Sequence, residues 1–98
     1  MIGHLRVYTI NKGMMDAWLE LFRSQLVGHM AAAGITVHST WVNAERTQFI
    51  WIRTYGESMA DLEAKEKAFY GSPWWQANVD HVRSHIAHRE LTVIHTAP

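Results

Sequence analysis

The hydrophobic period of this 98-residue chain switches between two and three-to-four residues in a fixed order, and that order restricts the available folds more than any single motif does. From His4 to Ile10, Leu5, Val7 and Thr9 alternate with His4, Arg6, Tyr8 and Ile10, the period of a strand. Asn11-Lys12-Gly13 ends it. From Met14 to about Ala33 the period turns helical: Met15, Leu19, Phe22, Leu26, Met30 and Ala33 recur at spacings of three and four, and Gly34 supplies the stop. Ile35–Val42 and Gln48–Tyr55 are rich in β-branched and aromatic residues and read as strands, joined by the polar hairpin loop Asn43–Thr47. Ser58, with Asp61 three residues on, predicts the N-cap of a helix that closes at Phe69-Tyr70-Gly71. Ser72-Pro73 restarts a helix through Trp75, Val79, Val82 and Ile86, and His88–His95 forms a last strand.

The order is β-α-β-β-α-β, the α+β split βαβ or ferredoxin-like sandwich, in which one antiparallel sheet carries its helices on a single face. The other sheet face then lacks cover. Arg6 and Tyr8, or Trp51, Arg53 and Tyr55, are the expected occupants of that open face, to be covered by a second sheet. With only Pro73 and Pro98 as prolines, and no repeat or low-complexity run, residues 1–98 read as one domain. A domain of this size buries about two-thirds of its unfolded surface. Yet 48% of its residues are hydrophobic and five are tryptophan, so part of that apolar surface is expected to face a ligand or a second copy in a homodimer.

Charge and cysteine content remove other functions. Nine Lys and Arg balance nine Asp and Glu, leaving no basic excess for nucleic acid or for an anionic membrane surface. The absence of cysteine excludes disulfides and thiolate chemistry, and with no secretion-signal pattern at Met1–Arg6 it leads to the expectation of a cytoplasmic protein. Seven histidines form a titratable reserve, from which a dimer that weakens as pH falls through the histidine range is expected.

Several segments now combine: Arg6-Val7-Tyr8-Thr9-Ile10 followed by Gly13, the helix carrying Trp18 and Phe22, the strand Phe49-Ile50-Trp51-Ile52-Arg53-Thr54-Tyr55, and Phe69-Tyr70-Gly71-Ser72-Pro73-Trp74. In order and spacing they resemble the NIPSNAP family of the dimeric α+β barrel superfamily. The resemblance implies two protomers pairing their sheets into an eight-stranded barrel, helices outside, with a ligand pocket in each protomer between sheet and helices. That superfamily includes cofactor-free aromatic-polyketide oxygenases, haem-degrading oxygenases and small-molecule isomerases or decarboxylases, so it implies a fold and leaves the reaction open. Haem-degrading members would need an Asn on the first strand and a Trp followed ten residues later by an axial His. Trp75 and His85 have that spacing, but Arg6 stands nearest the Asn position, and aligning Ser72 on the family's helix-start Ser puts Val79 where the His belongs.

Three constellations could carry chemistry. In a regular helix Trp18, Phe22, Gln25 and His29 lie on one line, an aromatic stripe with two polar groups, which suits either a pocket wall or the solvent edge of an amphipathic helix. His81 and His85 share a helix face with His88 a turn further on; this suits a proton-transfer base or a solvated surface better than a metal centre, since no HExxH glutamate or fourth ligand accompanies them. Arg6 with Tyr8 and Arg53 with Tyr55 lie on adjacent central strands, and two guanidiniums with two phenols can hold an enolate, phenolate or carboxylate, or else lock a buried dimer network with an acidic partner across the interface.

The expected function is therefore a cofactor-independent, metal-free small-molecule enzyme or binding protein of secondary metabolism. It would act on an aromatic or polyketide-like molecule as an oxygenase, cyclase or isomerase. Its catalytic candidates are His29, His81, Tyr8 and Arg53; its substrate-binding candidates are Trp18, Phe22, Gln25, His38, Tyr70, Trp74 and Trp75, the last two as a lid or stacking surface. Trp41 and Trp51 are expected to pack. The alternatives are a non-catalytic homodimeric binding or assembly module, in which these aromatics are core and interface, and a haem-binding or haem-degrading protein.

Overall fold

The computed structural model describes all residues, 1–98. Strand β1 (Ile2–Ile10) leads into a helical stretch made of α1 (Met15–Leu21), a π-helical turn (Phe22–Leu26) and α2 (Val27–Ala32). Then follow β2 (Thr36–Val42), β3 (Gln48–Gly56), α3 (Met59–Tyr70), α4 (Pro73–Arg83) and β4 (Ile86–His95). The sheet order is β2-β3-β1-β4 with every pair antiparallel, so β1 and β3 are the central strands. This is the ferredoxin-like α+β sandwich read from the sequence. No helix is long and apolar enough to cross a membrane.

Local chemistry places the helix boundaries. The Ser58 hydroxyl accepts from the Asp61 amide while the Asp61 carboxylate accepts from the Ser58 amide, a reciprocal capping box that opens α3. Those backbone bonds, from Glu57 and Ser58, hold the Asp61 carboxyl below its ordinary range. Ser72 caps α4 in the same manner, accepting from the Trp75 amide with Pro73 in the first turn. Gly34 ends α2 in a left-handed conformation, φ +88°, which L side chains rarely adopt.

Two expectations about facing are corrected. The buried side of β1 carries Ile2, His4, Arg6, Tyr8 and Ile10, and that of β3 carries Phe49, Trp51, Arg53 and Tyr55. The charged and aromatic half of each alternation thus points toward the helices, and the open face carries Leu5, Val7, Thr9, Ile50, Ile52 and Thr54. The physical reason is partnership: inside, both guanidiniums meet phenols, a carboxylate and an indole face, which the apolar open side does not offer. The second correction concerns the long helix. The π turn inserts an extra residue per turn, so the buried line continues Trp18, Phe22, Leu26, Met30 rather than through Gln25 and His29, and Leu19 is only half-buried.

Candidate functional site

Neighbouring positions on β1 and β3 pair His4 with Arg53, Arg6 with Trp51 and Tyr8 with Phe49, which brings both arginines to the centre of the sheet's helix side. Close approach of the strands there depends on Gly3, where a Cβ would lie 2.6 Å from the Arg53 carbonyl oxygen. Arg6 and Arg53 are each 2% exposed. Burying two guanidiniums so fully is costly unless they are paired and hydrogen-bonded.

Their partners come from three elements. Arg6 donates to the Tyr8 hydroxyl at 2.7 Å and to the Tyr70 hydroxyl at 3.3 Å. Arg53 donates to Tyr70 at 2.9 Å, to Tyr55 through Nε, and reaches Glu66 Oε1 at 3.5 Å. Tyr55 in turn lies 2.9 Å from both Glu66 Oε1 and His4 Nδ1. The Trp51 indole receives both cations on its ring, Arg53 at 5.5 Å and Arg6 at 5.7 Å. Glu66 is the acid of this cluster, 3.5 Å from Arg53 and 3.9 Å from Arg6, and a single carboxylate cannot neutralise both guanidiniums.

The surplus positive charge marks the neighbouring titrations. Burial lowers the His4 pKa to about 4, aided by Arg6 and Arg53 and opposed by Glu66, so the imidazole is neutral at physiological pH. Burial pushes the Tyr55 phenol up, an effect that its arginine neighbours only partly offset. Tyr70 moves the other way. Burial would raise it, but Arg53 and Arg6, together with the Arg53 hydrogen bond, outweigh burial and hold its phenol below the usual tyrosine value.

Against this cluster, between sheet and helices, lies a cavity of about 20 Å³. Tyr8, Trp18, Phe22, Trp51, Arg53 and Trp75 are among its walls. Of the candidates read from the sequence, Tyr8, Arg53, Trp18, Phe22 and Trp75 line it, and Tyr70 bonds both arginines.

The others lie elsewhere. Gln25 and His29 are turned off the core line by the π turn and meet Trp74 instead: its Nε1 donates to Gln25 at 3.2 Å and its ring stacks on His29 at 4.2 Å. This second cluster bridges the α2 side to the start of α4. His81 is exposed on the outer side of α4, so it does not reach the arginines. His38 is exposed on the edge strand β2, where a bulge between Val37 and Ser39 leaves it without a partner in the register. It borders a different hollow, of about 170 Å³, with Ile52, Thr54 and His95. Arg53 finds its acidic partner in Glu66 of its own chain, not across an interface.

The site candidates read from the sequence omit His4, Tyr55 and Glu66, and Trp51 is expected there only to pack. The strand alternation already put His4 with Arg6 and Tyr8, and Tyr55 with Arg53. For Glu66 the signal was spacing: Leu62, Glu66 and Tyr70 follow one another at four residues and so share the face of α3 that meets the sheet.

The haem requirements fit poorly. His85 is buried with Nδ1 2.9 Å from the His81 carbonyl oxygen and its ring 6.0 Å from Trp18, and Arg6 occupies the first-strand position. No three His, Asp or Glu side chains come together in a metal-ligating group.

Fold and site together define a small ferredoxin-like α+β domain with a buried arginine–tyrosine cluster between sheet and helices. The chain belongs to the NIPSNAP family, whose model matches residues 3–98. A NIPSNAP domain protein from Burkholderia xenovorans superposes with a TM-score of 0.86 at 18% identity, covering 99% of this chain and 95% of that one. A NIPSNAP family protein from Agrobacterium tumefaciens gives 0.87 at 21% identity, covering 98% and 85%. A structure described as an antibiotic biosynthesis monooxygenase gives 0.71 at 16% identity and covers both chains fully, a likeness of fold. No curated protein matches the sequence.

Proposed function

We propose that this chain is a cofactor-independent enzyme that forms an enolate from a small aromatic, polyketide-like molecule between its sheet and helices. The observation that carries the reading is Tyr70: its hydroxyl sits 2.9 Å from one buried guanidinium and 3.3 Å from another, which favours the phenolate. As phenolate, Tyr70 takes the proton from the carbon beside a carbonyl. The C–H electron pair becomes the new C–C π bond and the carbonyl oxygen becomes the enolate oxygen. Negative charge thereby leaves Tyr70 and reappears on the ligand beside the same guanidiniums, so the site's net charge is unchanged through the step. Return of the proton at another atom gives an isomer; attack of the enolate carbon on a second carbonyl of the same molecule closes a ring, with the proton returned to the resulting alkoxide; reaction of the same enolate with dioxygen gives an oxygenation, the chemistry named for the monooxygenase of similar fold. Tyr70 takes the base role that the sequence suggested for His29 and His81.

The test is hydrogen–deuterium exchange at the α-carbon of one- and two-ring aryl ketones, acetophenone and 1-tetralone, followed by NMR in D₂O. Exchange above background that falls at least about tenfold in Tyr70→Phe supports the reading, within the usual range for a general base. Absence of exchange with every ketone, or full exchange in Tyr70→Phe, overturns it. A second reading, a homodimeric assembly module, is supported by the apolar open face with Leu5, Val7, Ile50 and Ile52, and is compatible with an enzyme in the same chain.

A further inference from the structure

The interior cluster is rich in donors and poor in acceptors. Three buried nitrogens have no hydrogen-bond partner: Arg6 Nε, Trp18 Nε1 and Trp51 Nε1. Their side chains are 2%, 1% and 2% exposed, so bulk water does not satisfy them. Leaving a buried N–H unpaired is costly, and two of the three belong to residues that line one small space. Trp18 and Trp51 line the cavity beside the arginines, and the Arg6 guanidinium lies 5.7 Å from the Trp51 ring and bonds Tyr8, another wall residue. The Tyr8 hydroxyl, and Tyr70 in its protonated form, already accept from arginine and have their own hydrogens to give.

A water molecule is a poor complement to this set, because it accepts two hydrogen bonds and must place two hydrogens of its own on acceptors. Here Glu66 Oε1 already accepts from Tyr55, and His4 Nδ1 lies within hydrogen-bond distance of Arg6 Nη2 and of the Tyr55 hydroxyl. An anionic oxygen accepts from all sides and asks for no acceptor. Charge limits the anion further. Of two guanidiniums, Glu66 neutralises one, so a single negative charge completes the balance, carried by Tyr70 as phenolate in the free protein and by the ligand once Tyr70 is protonated, and a second would be buried without a partner.

We infer that the site recognises a monoanion, a carboxylate or enolate oxygen on an aromatic body, held by the indole N–H groups of Trp18 and Trp51 and by Arg6 Nε. The inference rests on the reading of this cavity as the ligand site, and adds to it the charge and head group of the ligand. A cavity of about 20 Å³ admits the oxygen alone. The ring behind it displaces side chains of the helical wall, where Trp75 and Val82 of α4 stand.

Isothermal titration in chloride-free buffer tests this with three probes built on one benzene ring: benzoate, its neutral isostere benzamide, and the larger dianion isophthalate. Benzoate is expected to bind at least about tenfold more tightly than either of the others. Trp18→Phe and Trp51→Phe, which keep an aromatic ring and delete one donor each, are expected to weaken benzoate by about tenfold and benzamide by less. Thermal unfolding without ligand identifies folded variants; if one fails to fold, the other carries the comparison, and the ratio of benzoate to benzamide in the unmodified protein stands by itself. Equal binding of benzamide, equal or tighter binding of isophthalate, no binding of benzoate, or benzoate affinity unaffected in a folded tryptophan variant overturns the inference. Benzoate binding without ketone exchange would leave the anion site standing and remove the proposed proton transfer; ketone exchange without benzoate binding would do the reverse.

Discussion

At the scale of single residues the chain concentrates its electrostatics in one place, and His4 reports on it. Its pKa is about 4 in the folded protein against 6.5 in an unperturbed imidazole. Between those values the unfolded chain binds a proton that the folded chain refuses, so stability rises with pH across that window, is complete above about pH 6.5, and is lost as pH falls toward 4. The separation corresponds to about 3 kcal/mol as an upper bound. Urea unfolding at pH 7.5, 5.5 and 4.5 should show that decline, and His4→Gln, an uncharged side chain that can still hydrogen-bond the Tyr55 hydroxyl, should flatten it. An equally steep decline in the variant would assign the loss to other groups. The same burial explains why Arg6 and Arg53 are poor candidates for removal singly: each anchors phenols that would be left without donors.

Secondary-structure elements were legible wherever a local rule sufficed. Ser58 with Asp61 and Ser72 with Pro73 marked two helix starts because capping depends on residues within one turn of each other. Ser58→Ala should therefore cost about 1 kcal/mol in chemical denaturation without altering the cluster, and an unchanged midpoint would mean that the cap is energetically idle. The π turn was not legible. Spacing in a regular helix puts Gln25 and His29 beneath Trp18 and Phe22, and only the need to bury Leu26 and Met30 against the sheet selects the wider turn. The facing of the sheet escaped for a related reason. Alternation shows that Arg6 and Tyr8 share a side; which side is inward depends on what α3 brings, and Glu66 and Tyr70 meet the arginines across the fold. Likewise the bulge that isolates His38 is a property of the β2–β3 pairing rather than of either strand alone.

For the whole molecule, turning the polar alternation inward leaves an apolar surface to explain. Leu5, Val7, Ile50 and Ile52 share the open face of the sheet, and Trp41, opposite Ile50 in the register, is 65% exposed. Leu91 and Val93 of the edge strand β4 are also exposed, but on the other side of the sheet, opposite Arg6 and His4. A chain with zero net charge has little electrostatic repulsion to keep such faces apart. The expected partner is a second copy packing sheet to sheet, the arrangement in which the same apolar face serves both subunits. Sedimentation should then give about twice the 11.3 kDa chain mass for the unmodified protein. Ile52→Glu places a carboxylate in the middle of that face and should give monomers, whereas its position on the side of the sheet away from Arg53 and Tyr70 leaves the cluster in place. Near-UV circular dichroism of the monomeric variant checks that the interior aromatics remain packed. A monomeric unmodified protein at high micromolar concentration, or a dimer unaffected by Ile52→Glu, would move the interface off the open face and leave its apolar residues without a partner.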